Sequence, residues 1–330
     1  MKVGIIGTGW VADKHLHALS QIKGVEVAAI AGRNEGRTRE LAAPFKANTY
    51  NHYLPLLERE SLDAVFILLP PHLHGDLERA CSEHVSSIFL EKPITTNLNQ
   101  AHQIQGYFER AGTLVSVGYQ NRYRASVQQA LQYFTDEAPG ILANGWWITE
   151  MPGAPWWRSR EKSGGQFVEQ CTHLVDLTRY FMGEIVEISA FHTGGFLDGV
   201  PGYTVDDAMV INARLASGAL ASFSTGCFPV GNHDDIGISL SLSTRHHRVV
   251  LESWDFEGTL HNGRDKPVPL PSTPDPFLLQ HQAFADAVMQ KNPEGILSDY
   301  LDAMRTLAVT LAANESAHQR QGAPVSVPSF

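Results

Sequence analysis

Lys2-Val3-Gly4-Ile5-Ile6-Gly7-Thr8-Gly9-Trp10-Val11-Ala12 is the stretch that decides the fold. The apolar run Lys2–Ile6 reads as a buried strand, and a GxGxxA turn follows it directly. At that spacing Gly7 permits a tight turn and Gly9 lets the backbone approach a pyrophosphate. Ala12 keeps the next helix close to the sheet. The N-terminus of that helix offers N–H donors and a partial positive charge to an anion. Thr8, Trp10 and Val11 share the turn and are candidate cofactor contacts with it. A glycine-rich turn without a ligand is the plainer alternative, but the strand before it and the helix after it favour a dinucleotide.

Working outward, apolar strands over 25–31, 63–69, 87–90 and 114–117 alternate with helices over 15–21, 37–43, 75–82 and 98–111. Continuous apolar strands between helices predict a parallel sheet covered on both faces. After Tyr123 the pattern changes. Helices over 126–135 and 168–182 precede strands over 186–193, 208–215, 219–226, 236–243 and 247–252, with closing helices over 277–290 and 299–320. Short turns such as Ala216-Ser217-Gly218 predict a mostly antiparallel sheet. The expected fold class is therefore α/β, a Rossmann doubly wound parallel sheet over 1–121. An α+β domain with a large, open, mostly antiparallel sheet follows over 122–330.

Bulk properties narrow the partners. A chain of 330 residues favours two domains, and 43% hydrophobic with 18% charged residues describes a globular protein. Its formal net charge of −10 disfavours nucleic acid and anionic membrane surfaces, which need a basic face. No apolar run is long enough to span a bilayer, and glycines interrupt the N-terminal run where a signal peptide needs a core. Cys81, Cys171 and Cys227 form no CxxC, so a disulfide framework and a thiolate zinc site are not indicated and the reduced cytoplasm is expected. The HxH of His72 and His74 lacks further ligands at metal spacing, so no metal is expected.

The second strand bears on cofactor choice. NAD binders carry an acid at its tip to receive the ribose 2′-OH. Here the tip reads Ile30-Ala31-Gly32-Arg33-Asn34. Gly32 offers no carboxylate to repel a 2′-phosphate, Arg33 offers a planar fork of donors, and Arg37 can assist from the next helix. NADP(H) is favoured over NAD(H). Arg33 stacking on adenine, with Glu35 nearby, keeps NAD(H) open.

An ordered set of segments resembles the Gfo/Idh/MocA family of glucose–fructose oxidoreductase and inositol dehydrogenase. The set comprises GTGWVA at 7–12, DAVFILLPPHLHGDL at 63–77, EKPITTN at 91–97 and VGYQNRYR at 117–124. WWR at 156–158 and SGGQFVEQCTHLVDLTRYFMGE at 163–184 complete it. The resemblance implies hydride transfer on sugars, cyclitols and related polyols. It also implies that Lys92, following Glu91, touches the nicotinamide ribose and the substrate hydroxyl, often beside a cis proline. A cation there favours alkoxide character. His173 suits proton exchange near neutral pH. Glu169, four residues earlier, is expected on the same helical face, where relatives carry Asp. It either braces His173 or touches substrate, and Asp176 can orient the ring instead.

By the same resemblance Leu69, Pro70, His72 and His74 line the cofactor. Gln120 reaches nicotinamide and substrate, Arg122 and Trp156 reach substrate, and Trp157 and Arg158 reach the cofactor. Phe277 stands where relatives often carry Tyr. Two alternatives remain: a glycoside hydrolase that oxidises its sugar transiently with bound NAD, and a non-catalytic dinucleotide sensor. A homodimer or homotetramer through the open sheet is expected.

Overall fold

A computed structural model describes every residue except 198, 229–236 and 264. Ile236, the first residue of one expected strand, lies outside the described residues. The chain forms two compact units, Met1–Tyr123 with Pro274–Met304, and Arg124–Thr273 with Arg305–Phe330. The expected 121/122 division falls two residues from the first crossing, but the stretch 122–330 is not continuous. Residues 274–304 return to the first unit because Phe284 and Ala285 complete its apolar core, and Gln280 Nε2 donates to the Val117 carbonyl at 2.9 Å.

The first unit holds six strands: β1 (Lys2–Ile6), β2 (Glu26–Ala31), β3 (Asn48–Tyr50), β4 (Ala64–Ile67), β5 (Ser87–Leu90) and β6 (Leu114–Val117). Every pairing is parallel, in the order β3-β2-β1-β4-β5-β6. Each residue of β4 and β5 is buried, as a strand covered on both faces requires. The helices are α1 (Val11–Ser20), α2 (Glu35–Ala42), α3 (Tyr53–Arg59), α4 (Asp76–His84) and α5 (Leu98–Ala111). Strand order reverses between β1 and β4, which makes their carboxyl ends the place where open α/β sheets bind ligands.

The second unit contains α6 (Ala125–Leu131), α7 (Arg160–Ser163), α8 (Gln166–Glu169) and α9 (Thr172–Met182). Its strands are β7 (Leu142–Ile148), β8 (Ile185–Thr193), β9 (Ala208–Leu215), β10 (Leu220–Gly226), β11 (Ile238–Ser243), β12 (His247–Glu252), β13 (Glu257–Asn262), β14 (Val268–Pro269) and β15 (Val325–Ser326). They form a nine-stranded sheet, β14-β13-β12-β11-β7-β10-β9-β8-β15, antiparallel except where β7 and β10 run parallel. Alternation sends Ala143, Trp147, Ile211 and Phe223 into the core, where α9 packs with Leu174, Leu177 and Phe181. Leu142, Trp146, Val210 and Leu220 stay exposed on the other face. Two further helices are α10 (Pro276–Gln290), in the first unit, and α11 (Tyr300–Gln319), whose residues divide between the two.

Candidate active site

The glycine turn behaves as two different positions. Gly7 has φ +115°, and a Cβ there would sit 2.3 Å from the Leu68 carbonyl oxygen, so only glycine fits. Its N–H donates to the Ala31 carbonyl at 3.0 Å and ties the turn to β2. A Cβ on Gly9 would meet nothing within 4 Å. That side of the turn is open to at least this distance, beside the N-terminus of α1, where an anion is favoured. Ala12 is fully buried, Val11 half-buried, and Trp10 is 71% exposed.

At the tip of β2 the absence of an acid has a packing cause as well. A Cβ on Gly32 would lie 2.6 Å from Thr8 Oγ1 and 2.7 Å from Thr38 Oγ1. Asn34 is the N-cap of α2, its side chain accepting from the Arg37 N–H at 3.1 Å. The Arg37 guanidinium lies between Glu40, at 2.7 Å, and Asp13, and both carboxylates hold its pKa above the ordinary arginine value. Arg33 is exposed at the same tip.

After β4, Leu69 and Pro70 are half-buried and a short turn, Pro71–Leu73, carries the half-buried His72. His74 is buried. Its Nδ1 lies 2.6 Å from Glu78 Oε1 and its Nε2 3.3 Å from the Leu69 carbonyl. Burial opposes the charged ring, but the Glu78 carboxylate, with the Leu69 carbonyl and Glu91, outweighs it and raises the pKa of His74. Glu78 also accepts the Gly75 N–H at 2.5 Å, capping α4. Both nitrogens of His74 therefore brace the loop from within.

After β5 the Lys92–Pro93 peptide is cis. Lys92 is half-buried, and its N–H donates to Glu91 Oε2 at 3.1 Å. Glu91 points inward, with Oε1 3.1 Å from His15 Nε2, and His15 Nδ1 lies 2.8 Å from His281 Nε2. Both rings are fully buried, and Phe66 and Phe89 pack against that of His281. Burial first, then the adjacent His15, holds His281 well below the ordinary imidazole pKa. Phe277 sits edge-on to His15 at 5.3 Å. Gln120 is half-buried on the turn Gln120–Tyr123. Arg122 is buried, with Nη1 donating to the Leu297 carbonyl at 2.5 Å and Nη2 2.7 Å from Asp302. Its guanidinium thus fastens this turn to the returning segment of the same unit.

In the second unit Gly164 and Gly165 take φ +80° and +88° and lead into α8. A Cβ on Gly164 would lie 2.7 Å from Val168 Cβ. The expected single helix over 168–182 is interrupted between Glu169 and Thr172. Before the break, Gln166 Nε2 donates to the Gly226 carbonyl at 3.0 Å and its Oε1 accepts from Thr225, fixing α8 to the end of β10. The four-residue spacing therefore does not put Glu169 and His173 on one face of a continuous helix. Glu169 Oε2 accepts the Trp157 indole N–H at 2.9 Å. Trp157 is buried among Val205 and Cys227, with Trp156 packed against them, and Arg158 is half-buried beside it. His173 is buried, its ring stacked at 6.0 Å on Trp147. Asp176 accepts from Thr306 Oγ1 at 3.3 Å.

Residues 1–119 match the sequence profile described as an oxidoreductase family with an NAD-binding Rossmann fold, and 141–243 match the GFO/IDH/MocA C-terminal domain. The chain belongs to the GFO/IDH/MocA oxidoreductase family. It is, as such, an oxidoreductase with an NAD-binding Rossmann fold. It is 30% identical to myo-inositol 2-dehydrogenase of Thermotoga maritima, over 67% of this chain and 66% of that protein. It is 25% identical to scyllo-inositol 2-dehydrogenase (NAD(+)) of Bacillus subtilis, over 99% and 96%. A solved levoglucosan dehydrogenase, in complex with NADH, shares the fold at a TM-score of 0.87 with 19% identity over 100% of both chains.

Within this GFO/IDH/MocA chain, sequence patterns do not point to the buried His15–His281 pair, to Glu78 behind His74, or to Trp157 held by Glu169. Their partners lie 266, 4 and 12 residues apart. Only the i,i+4 spacing of His74 and Glu78 within a helix start carried a local signal. Among the described residues no helix is long and apolar enough to cross a membrane.

Proposed function

We propose that the chain transfers a hydride between NADP(H), in preference to NAD(H), and a carbinol or carbonyl carbon of a sugar, cyclitol or related polyol. The turn at Gly7–Gly9 carries this reading. It is closed to any side chain at the first glycine and open at the second, at the switch point of a parallel sheet. Gly7, Thr8, Gly9 and the α1 N-terminus hold the pyrophosphate, and exposed Arg33 receives the 2′-phosphate. The bound nicotinamide supplies or accepts the hydride. Lys92, at the carboxyl end of β5, stabilises negative charge on the substrate oxygen. His173 exchanges the alcohol proton. Glu169 acts through Trp157, whose indole it orients.

The test is a polyol, aldose and ketose screen followed by cofactor absorbance, with binding of NADPH and NADH measured in parallel. Turnover on one substrate class, abolished in Lys92→Met with cofactor affinity kept, is expected. Arg33→Ala should weaken NADPH roughly tenfold and leave NADH unchanged, the worth of a charge-assisted hydrogen bond. Silence across the screen with cofactor bound, or release of an aglycone without net reduced cofactor, would overturn the dehydrogenase reading.

A second copy of the chain covers the exposed face of the nine-stranded sheet in this proposal. Trp146, Val210 and Leu220 there are 41%, 54% and 50% exposed. Light scattering should give a dimer or tetramer mass, and a monomer at micromolar concentration would refute it. The three unbridged, buried cysteines support a reducing cytoplasm, which fractionation of the native cell checks.

A further inference from the structure

One cluster of side chains contains no residue given a role above. His192 near the end of β8, Asp206 just before β9 and His318 in the last turn of α11 converge within the second unit. His192 Nδ1 lies 2.9 Å from Asp206 Oδ1, and His318 Nε2 lies 3.0 Å from Asp206 Oδ2. Their ligand atoms all fall within 4.8 Å of one another. Four bonds of about 2.0–2.1 Å to a tetrahedral zinc ion separate neighbouring donors by about 3.3 Å. The observed spacings need only small rotations to reach it.

The scaffold is fixed without these side chains. The Asp207 N–H donates to the Thr193 carbonyl at 2.9 Å, closing the β8–β9 connection, and the Ala190 N–H donates to Ser316 Oγ at 2.9 Å, tying α11 to β8. Asp206 is nearly buried, whereas His192 is 36% exposed, so one side of the cluster opens to solvent and can take a water as fourth ligand.

The geometry points to a site for a divalent transition-metal ion of the zinc type, held by His192 Nδ1, an Asp206 carboxylate oxygen and His318 Nε2. Imidazole and carboxylate ligands suit this class of ion. The sequence reading expected no metal anywhere in the chain, and this proposal departs from it because His192, Asp206 and His318 lie far apart in sequence and meet only in the fold. Arg160 competes for the position. Its Nη1 lies 2.7 Å from His318 Nε2 and 3.5 Å from Asp206 Oδ1. The side chain is 40% exposed at the start of α7 and can swing into solvent when an ion enters. Arg160 and the ion thus neutralise the same carboxylate in turn.

The experiment titrates Zn2+ into the untagged, chelator-treated full chain by calorimetry, with Co2+ absorbance reporting coordination. One equivalent is expected, with a tetrahedral Co2+ spectrum. His192→Ala and His318→Ala should each lose that equivalent. Arg160→Ala should bind it roughly thirtyfold more tightly, the effect of removing a unit charge at contact distance from a divalent ion, screened as in water. Zn2+ should also restore whatever melting temperature Arg160→Ala loses. Unchanged stoichiometry in both histidine variants would overturn the site, as would an Arg160→Ala affinity no tighter than the parent's. His192 is exposed enough that its truncation leaves the fold intact.

Discussion

A methyl group added at residue 7 and one added at residue 9 would meet opposite surroundings, although the two glycines look equivalent in the motif. Gly7→Ala forces a Cβ to 2.3 Å from the Leu68 carbonyl at φ +115°. Strain and overpacking together should destabilise the chain by about 2–5 kcal/mol. Gly9→Ala meets no atom within 4 Å, so its denaturation midpoint should move by no more than about 0.5 kcal/mol. Its dinucleotide affinity should nevertheless fall at least roughly tenfold, because the methyl occupies the space proposed for the pyrophosphate. Chemical denaturation with and without NADPH separates the two effects. Equal destabilisation by both substitutions would remove the distinction. The motif made both glycines legible, but not that the packing of the fold demands only the first of them.

At the scale of elements, α4 is started by the His74–Glu78 pair. Glu78 accepts the Gly75 N–H and lies 2.6 Å from His74 Nδ1. The folded state favours the protonated ring, so the pKa of His74 is raised. The resulting stabilisation is complete below the unfolded imidazole value of about 6.5 and disappears as pH rises through the higher folded value. Glu78→Gln should flatten that alkaline decline in melting temperature between pH 6.5 and 9. A slope identical to the parent's would exclude His74 as its source. Five of the six parallel strands were readable because they are mostly buried and leave apolar runs, whereas β3, the polar and largely exposed edge strand Asn48–Tyr50, was not. β7 was not, since Ala143, Asn144 and Gly145 lack strand propensity and only the neighbouring strands impose the conformation. The break before α9 was equally hidden. Apolar spacing persists through it, and the Gln166 amide that anchors α8 reaches a strand 60 residues away.

For the whole molecule, the first unit is discontinuous. A fragment of residues 1–123 lacks Phe284, Ala285 and the Gln280 bond to Val117. It should fail to show a cooperative melt, whereas the same fragment joined by a short linker to 274–304 should melt in one transition. A cooperative 1–123 fragment would contradict this. The return of 274–304 was invisible in the sequence because an amphipathic helix shows which face it buries, not which of two cores receives it. The candidate site was legible wherever a motif fixed it, at Gly7–Ala12 and Glu91–Pro93, and illegible where distant partners such as His15 and His281 meet.

That discontinuity also sets an order of events during synthesis. Residues 1–123 leave the ribosome about 180 residues before Met304 does, an interval of roughly 10–35 s at ordinary elongation rates. Throughout it, the apolar pocket awaiting Phe284 stands open on a nascent chain, while most of the second unit can already collapse. The dinucleotide fold, begun before the second unit, stays incomplete until residues 274–304 emerge, which gives chaperones a long claim on it.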